Sequence, residues 1–191
     1  MTPPGLSVVT VSEAAWERSR SAAMPRFYLD WERTRASLET GSTPFTPAVT
    51  IVTSLDVALG LLLEEGLDAA FARHAALGRA CREGAKAMGL ELFSPDEERS
   101  AIVTAILTPD GVDARELVLG LRDRFGITVA GGHGDLASKL FRVGHIGYYD
   151  VLDITTVLAA VEALLVERGA DVERGAAVAR ALEAYRETAR V

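Results

Sequence analysis

The chain has 191 residues, 49% hydrophobic and 25% charged, the composition of a globular protein with room for one large domain or for a small domain plus an appendage. A net charge of −7 argues against a nucleic-acid-binding surface, and the single cysteine, Cys81, excludes an internal disulfide and a cysteine-based zinc cage. No apolar stretch runs free of charge or glycine for the length of a bilayer, and the opening Met-Thr-Pro-Pro-Gly does not read as a secretory signal.

An apolar, β-branched run at 6–11 predicts a strand of the kind that lies inside a sheet with both faces covered. Thr10 or Ser12 then caps a helix. Residues 25–31 predict a short extended or irregular aromatic segment, and the proline-broken stretch 40–49 predicts a connector. Ser54 caps a helix in which Leu55, Ala58, Leu59, Leu62 and Leu63 recur at helical spacing. Gly66 interrupts that pattern, which resumes at Leu67 and runs to Met88, with Gly89 as its stop. Cys81 falls inside this helix as a small packed side chain.

Beyond it the sequence predicts a short strand at 90–93, a better one at 101–107 and an amphipathic helix at 113–125 ended by Gly126. A strand at 127–130, a glycine-rich loop at 131–135 and a strand at 140–146 follow. A helix starts at Asp150 or Asp153 and reaches Glu167, and a charged helix follows at 171–190. From 90 to 168 this order predicts a small α+β domain, a mostly antiparallel sheet with helices on one face, able to bury a core alone. Residues 1–50 offer one strand and one helix and no face to close against. The predicted organisation is an α/β remnant at 1–50, a helical connector at 51–89, the α+β domain at 90–168 and a C-terminal helix at 169–191.

Three stretches suggest chemistry: TPPGL at 2–6, TPFTPAV at 43–49 and GGHGDLASKLFRVGHIG at 131–147. Singly they read as a turn, a connector and a surface strand. In this order and spacing they resemble the C-terminal half of the class V aminotransferases, fold-type I pyridoxal phosphate enzymes, and most closely the alanine–glyoxylate and serine–pyruvate aminotransferase branch. MTPPGLSVVTVSEAAW matches the family from the methionine onward, and the resemblance runs through residue 168.

The resemblance implies that residues 1–50 close the large cofactor domain and that Met1 is an internal methionine of the family. The strand's neighbours, and the Ser-Gln-Lys segment whose lysine forms the Schiff base, would then lie upstream. Neither Lys86 nor Lys139, the only lysines, matches that residue. It implies that Arg142 binds the substrate α-carboxylate, as a planar guanidinium can through two parallel hydrogen bonds. It further implies that Thr46 reaches the cofactor phosphate from a neighbouring subunit, with Thr43 at a further phosphate-contacting position that is tyrosine in some relatives. Gly131, Gly132 and Gly134 let backbone approach the site mouth or form a simple turn. His74 and His145 read as structural, His133 has no partner assignable from sequence, and the three histidines have no metal-ligand spacing.

The implied activity moves an amino group between a small amino acid, alanine or serine, and an oxoacid, glyoxylate or pyruvate. The cofactor would be pyridoxal 5′-phosphate, the setting cytoplasmic and the intact enzyme a homodimer, with no nucleic-acid or membrane partner. Alone, the chain is expected to be inactive. Two alternatives stand beside this reading. In one, the chain is a subunit of a split enzyme whose other polypeptide is the N-terminal half. In the other, it is a non-catalytic module binding a small carboxylate, which leaves TPPGL and TPFTPAV unexplained.

Overall fold

In the computed structural model, residues 2–94 and 100–189 are described; Met1 and the predicted helix end at Arg190 lie outside them. The chain divides into two units, 1–61 and 62–191, and the division falls inside one helix.

In the first unit, residues 2–12 are irregular. The predicted strand at 6–11 therefore does not form: it joins no ladder among the described residues, and Val8 and Val9 are 88% and 60% exposed. A strand is defined by its partner's hydrogen bonds, and β-branching alone cannot supply them. Ser12 caps α1 (Glu13–Arg20), its side chain accepting from the Ala15 N–H at 3.3 Å. A second helix, α2 (Trp31–Glu39), carries too little apolar periodicity to be predicted. It starts because Asp30 accepts from the Glu32 N–H at 3.0 Å, and Glu32 pairs with Arg35 one turn on at 2.7 Å. The connector is ordered by aromatic contact: Phe45 packs 4.8 Å from Tyr28 and 5.6 Å from Phe27. Helix α3 (Val49–Glu65) begins earlier than predicted, with the Ile51 and Val52 N–H groups donating to Ala48 O. Ser54 thus lies inside it and donates its hydroxyl to Thr50 O at 2.8 Å instead of capping.

The second unit holds the core. Gly66, at a φ of +88° that favours glycine, turns the chain into α4 (Leu67–Ala87), and Gly89 ends it. Strands β1 (Val103–Leu107), β2 (Ala130–Gly131) and β3 (Leu140–Gly144) form an antiparallel sheet in the order β1-β3-β2. The predicted strand at 90–93 is reduced to a single bridge, Leu92 to Ile106, and that at 127–130 to the two residues of β2. Helix α5 (Ala114–Phe125) is capped by Asp113 and closed by left-handed Gly126. Helix α6 (Val151–Glu167) opens on a reciprocal capping box between Asp150 and Asp153. Helix α7 (Ala176–Ala189) starts later than predicted, after a turn at which the Gly175 N–H donates to the Glu162 carboxylate at 2.9 Å.

Thr104, Ile106, Phe141 and Val143 point to one face of the sheet and are buried, Phe141 and Ile106 completely. Leu77, Met88, Leu117, Leu158, Val161 and Leu164 from α4, α5 and α6 close over that face. This is the small α+β architecture with an antiparallel sheet that the element order predicts. Because side chains alternate across a strand, the residue between Phe141 and Val143 is turned to the opposite face. That residue is Arg142.

Candidate functional site

Arg142 occupies the middle of the central strand. Its register neighbours are Ala105 on β1 and Ala130 on β2, so the side chains beside it are as small as a chiral residue permits. The guanidinium is half-buried, and its Nε–H donates to Gly131 O at 2.9 Å. Its Nη2 lies 3.1 Å from His133 Nε2. No carboxylate among the described residues lies within ion-pair distance of it. The group is thus a cation held in place by neutral acceptors, with its remaining N–H donors uncommitted.

The loop that supplies both acceptors is itself fixed. Gly132 N–H donates to Leu140 O and Leu136 N–H to His133 O, each at 3.1 Å, and a single 3-10 turn spans Gly134–Leu136. A Cβ at Gly132 would sit 2.2 Å from Leu136 O, so glycine is a steric requirement there.

Thr43 and Thr46 lie on the connector of the first unit, ahead of α3. The Thr43 hydroxyl donates to Phe45 O at 2.6 Å, which commits its proton. Thr46 is exposed, and its hydroxyl has no hydrogen-bond partner among the described residues. α3 begins three residues later, with its Val49 N–H already donating to Pro47 O and its Ile51 and Val52 N–H groups to Ala48 O. Of the two threonines, Thr46 has a proton to offer a phosphate oxygen and Thr43, in this conformation, does not.

The other histidines have structural partners. His74 Nε2 accepts from the Gly147 N–H at 3.1 Å. His145 is completely buried: its Nδ1–H donates to Ala101 O, and its Nε2 accepts from the Thr104 hydroxyl, each at 2.9 Å. Burial pushes its pKa down to about 4, helped by the positive charges of Arg82 and His74 and opposed by the bond to Ala101. Cys81 is buried, and desolvation raises its thiol to about 12, far from the range of a nucleophile or metal ligand at neutral pH. Lys86 on α4 pairs with Glu83 at 3.1 Å, and Lys139 is exposed just before β3. Among the described residues no group of three or more His, Cys, Asp or Glu side chains could hold a metal ion, and no helix is long and apolar enough to cross a membrane.

Sequence reasoning located Arg142 by resemblance but left His133 without a partner. The signal was the spacing: a hairpin return from β2 to β3 brings a residue two past Gly131 alongside the strand neighbour of Ala130. The alanines flanking Arg142 were equally invisible, because register is a property of the folded sheet.

The homologues and structural neighbours of this chain are class V aminotransferases, of the fold-type I pyridoxal phosphate family, and it matches their C-terminal half. The serine–glyoxylate aminotransferase of Methylorubrum extorquens is 36% identical over 193 residues, covering 98% of this chain. Crystallographic ureidoglycine–glyoxylate aminotransferase from Bacillus subtilis superposes with a TM-score of 0.84 at 33% identity, over 91% of this chain and 46% of its own. A protein of Anabaena cylindrica named as the 42 kDa subunit of a soluble hydrogenase is 40% identical over 97% of this chain. The chain spans about half the length of the curated relatives it matches, 48% in both the Methylorubrum and Anabaena cases. No protein-family model matches it.

Proposed function

We propose that this chain is the carboxylate-gripping half of a transaminase that moves an amino group between serine or alanine and glyoxylate or pyruvate. The observation that carries the proposal is Arg142, an oriented guanidinium on the central strand with no carboxylate partner of its own. In this reading two of its N–H groups hold the α-carboxylate of the amino acid, and then of the oxoacid, in one plane. Each such charge-assisted bond contributes about 1.5–3 kcal/mol, less where solvent reaches it. Fixing the carboxylate restricts rotation of the substrate and so orients the bonds at its Cα. The small side chains of Ala105 and Ala130 leave room beside the guanidinium for the rest of a small substrate.

Pyridoxal 5′-phosphate, when bound, supplies the electron sink that allows bonds at the substrate Cα to break. The donor set fits its phosphate in part: the free hydroxyl of Thr46 can donate, whereas Thr43 would first have to release Phe45 O, and the Val49, Ile51 and Val52 N–H groups at the start of α3 are committed to Pro47 O and Ala48 O. The amine that anchors the cofactor and moves the proton is not among the residues of this chain that match the family. We assign that amine to a cofactor-bearing half, joined in frame or supplied as a separate polypeptide, and place the assembled enzyme in the cytoplasm as a homodimer.

The deciding assay is turnover. The 191-residue chain with added cofactor transaminates neither serine nor alanine with glyoxylate. Joined to its cofactor-bearing half it does, and Arg142→Ala then raises KM for both substrates at least tenfold. Turnover by the chain alone refutes the division of labour, and carboxylate binding without turnover in the joined protein favours a non-catalytic module.

A further inference from the structure

Resting on the reading of Arg142 as the carboxylate grip, we propose that His133 is its positioning residue: a neutral imidazole that orients the guanidinium and decides which of its edges meets the ligand. An arginine side chain has five N–H donors and no acceptor. The 3.1 Å contact between Nη2 and His133 Nε2 is therefore a bond that the guanidinium donates, and Nε2 must carry a lone pair. The proton of the neutral ring then sits on Nδ1.

Nε–H donates to Gly131 O at 2.9 Å, so the two nitrogens of the side-on fork, Nε and Nη2, are each engaged by this chain's own loop. What remains for a carboxylate is the end-on pair, Nη1–H together with the second hydrogen of Nη2. The ligand must approach along the axis of the side chain, away from the loop. Among the described residues His133 is the one side chain hydrogen-bonded to the guanidinium, and the strand neighbours Ala105 and Ala130 carry nothing that could restrain it. Without the imidazole the group would pivot on its single bond to Gly131 O, and closing two parallel bonds to a carboxylate would cost that lost freedom.

The position of the ring is secured from the backbone. His133 sits at the start of the 3-10 turn Gly134–Leu136, its carbonyl accepts from the Leu136 N–H at 3.1 Å, and the preceding Gly132 admits no side chain. The imidazole is exposed, so its replacement removes a hydrogen-bond acceptor and little packing.

The test uses the full chain and two readouts. Long-range 1H–15N spectra at pH 8 report which ring nitrogen of His133 holds the proton: Nδ1 in the unmodified chain, reverting toward Nε2 in Arg142→Ala. Calorimetric titration with glyoxylate then gives at least fivefold weaker binding for His133→Ala and restored binding for His133→Gln, whose amide oxygen reaches the same place as an acceptor. An Nε2-protonated ring in the unmodified chain, or unchanged affinity in His133→Ala, overturns the proposal. Loss of glyoxylate binding in every form, the unmodified chain included, defeats the carboxylate reading of Arg142, and the ring tautomer still decides the pairing.

Discussion

At the scale of single residues, Arg142 on β3 and His145 just past its end follow opposite rules. Arg142 is part-buried and held by neutral acceptors, Gly131 O and His133 Nε2. His145, fully enclosed, stays neutral with both ring nitrogens satisfied. α4 makes room for the ring: a Cβ on Gly78 would lie 2.9 Å from His145 Cε1. Protonation would cost Nε2 its bond from Thr104 and place a cation near Arg82 and His74. The folded pKa of about 4 lies below the ordinary histidine value of 6.5, so the unfolded chain binds more protons between these limits. The stabilisation is complete above pH 6.5 and is lost as pH falls through 4. Urea titrations should therefore show this group costing about 2 kcal/mol of stability between pH 7 and pH 5. His145→Gln flattens that slope, and a slope unchanged by the substitution would mean that another group titrates. The sequence marked His145 as structural from its place on a strand, but its partners come from Ala101 and Thr104, some forty residues away, and only the β1–β3 register brings them together.

At the scale of elements, helices were legible where their ends carry chemistry. Asp113 and the left-handed Gly126 mark the two ends of α5, and the Asp150–Asp153 box marks the start of α6, through local hydrogen bonds that depend on nothing distant. Strand limits were less legible, because residues 90–93 and 127–130 have strand composition while pairing along so little of their length. Also hidden was the role of small residues between helices. Ala80, Ala177, Ala181 and Ala184 are buried where α4 meets α7, and a Cβ on Gly84 would lie 2.5 Å from Leu158 Cδ1 and 2.9 Å from Ala177 O. Gly84→Ala gains about 1 kcal/mol of helix propensity but forces these backbones apart, so it lowers stability by about 1–3 kcal/mol overall. Gly60→Ala, on α3 with nothing within 4 Å of the new methyl, is the control and is neutral or stabilising. Equal effects of the two substitutions on the denaturation midpoint would show that close packing does not explain Gly84.

At the scale of the whole molecule, the two units differ in what they bury. None of the described residues from 2 to 61 is buried, although Val8, Val9, Met24, Tyr28 and Leu29 are apolar and open. Among the described residues the second unit contains the buried core and the strand that carries Arg142. From the sequence, one strand and one helix at 1–50 have no face to close against, whereas the order of elements at 90–168 describes a unit able to bury a core alone. What the sequence could not supply was which face of the sheet carries Arg142, which depends on Phe141 and Val143 turning inward and Arg142 outward. The most direct measurement is a titration of the 191-residue chain with glyoxylate, followed by the Arg142 Nε–H resonance and the amides of Ala105 and Ala130. Saturable shifts that vanish in Arg142→Ala are the predicted result; no shift, or an identical response in the variant, would contradict the account.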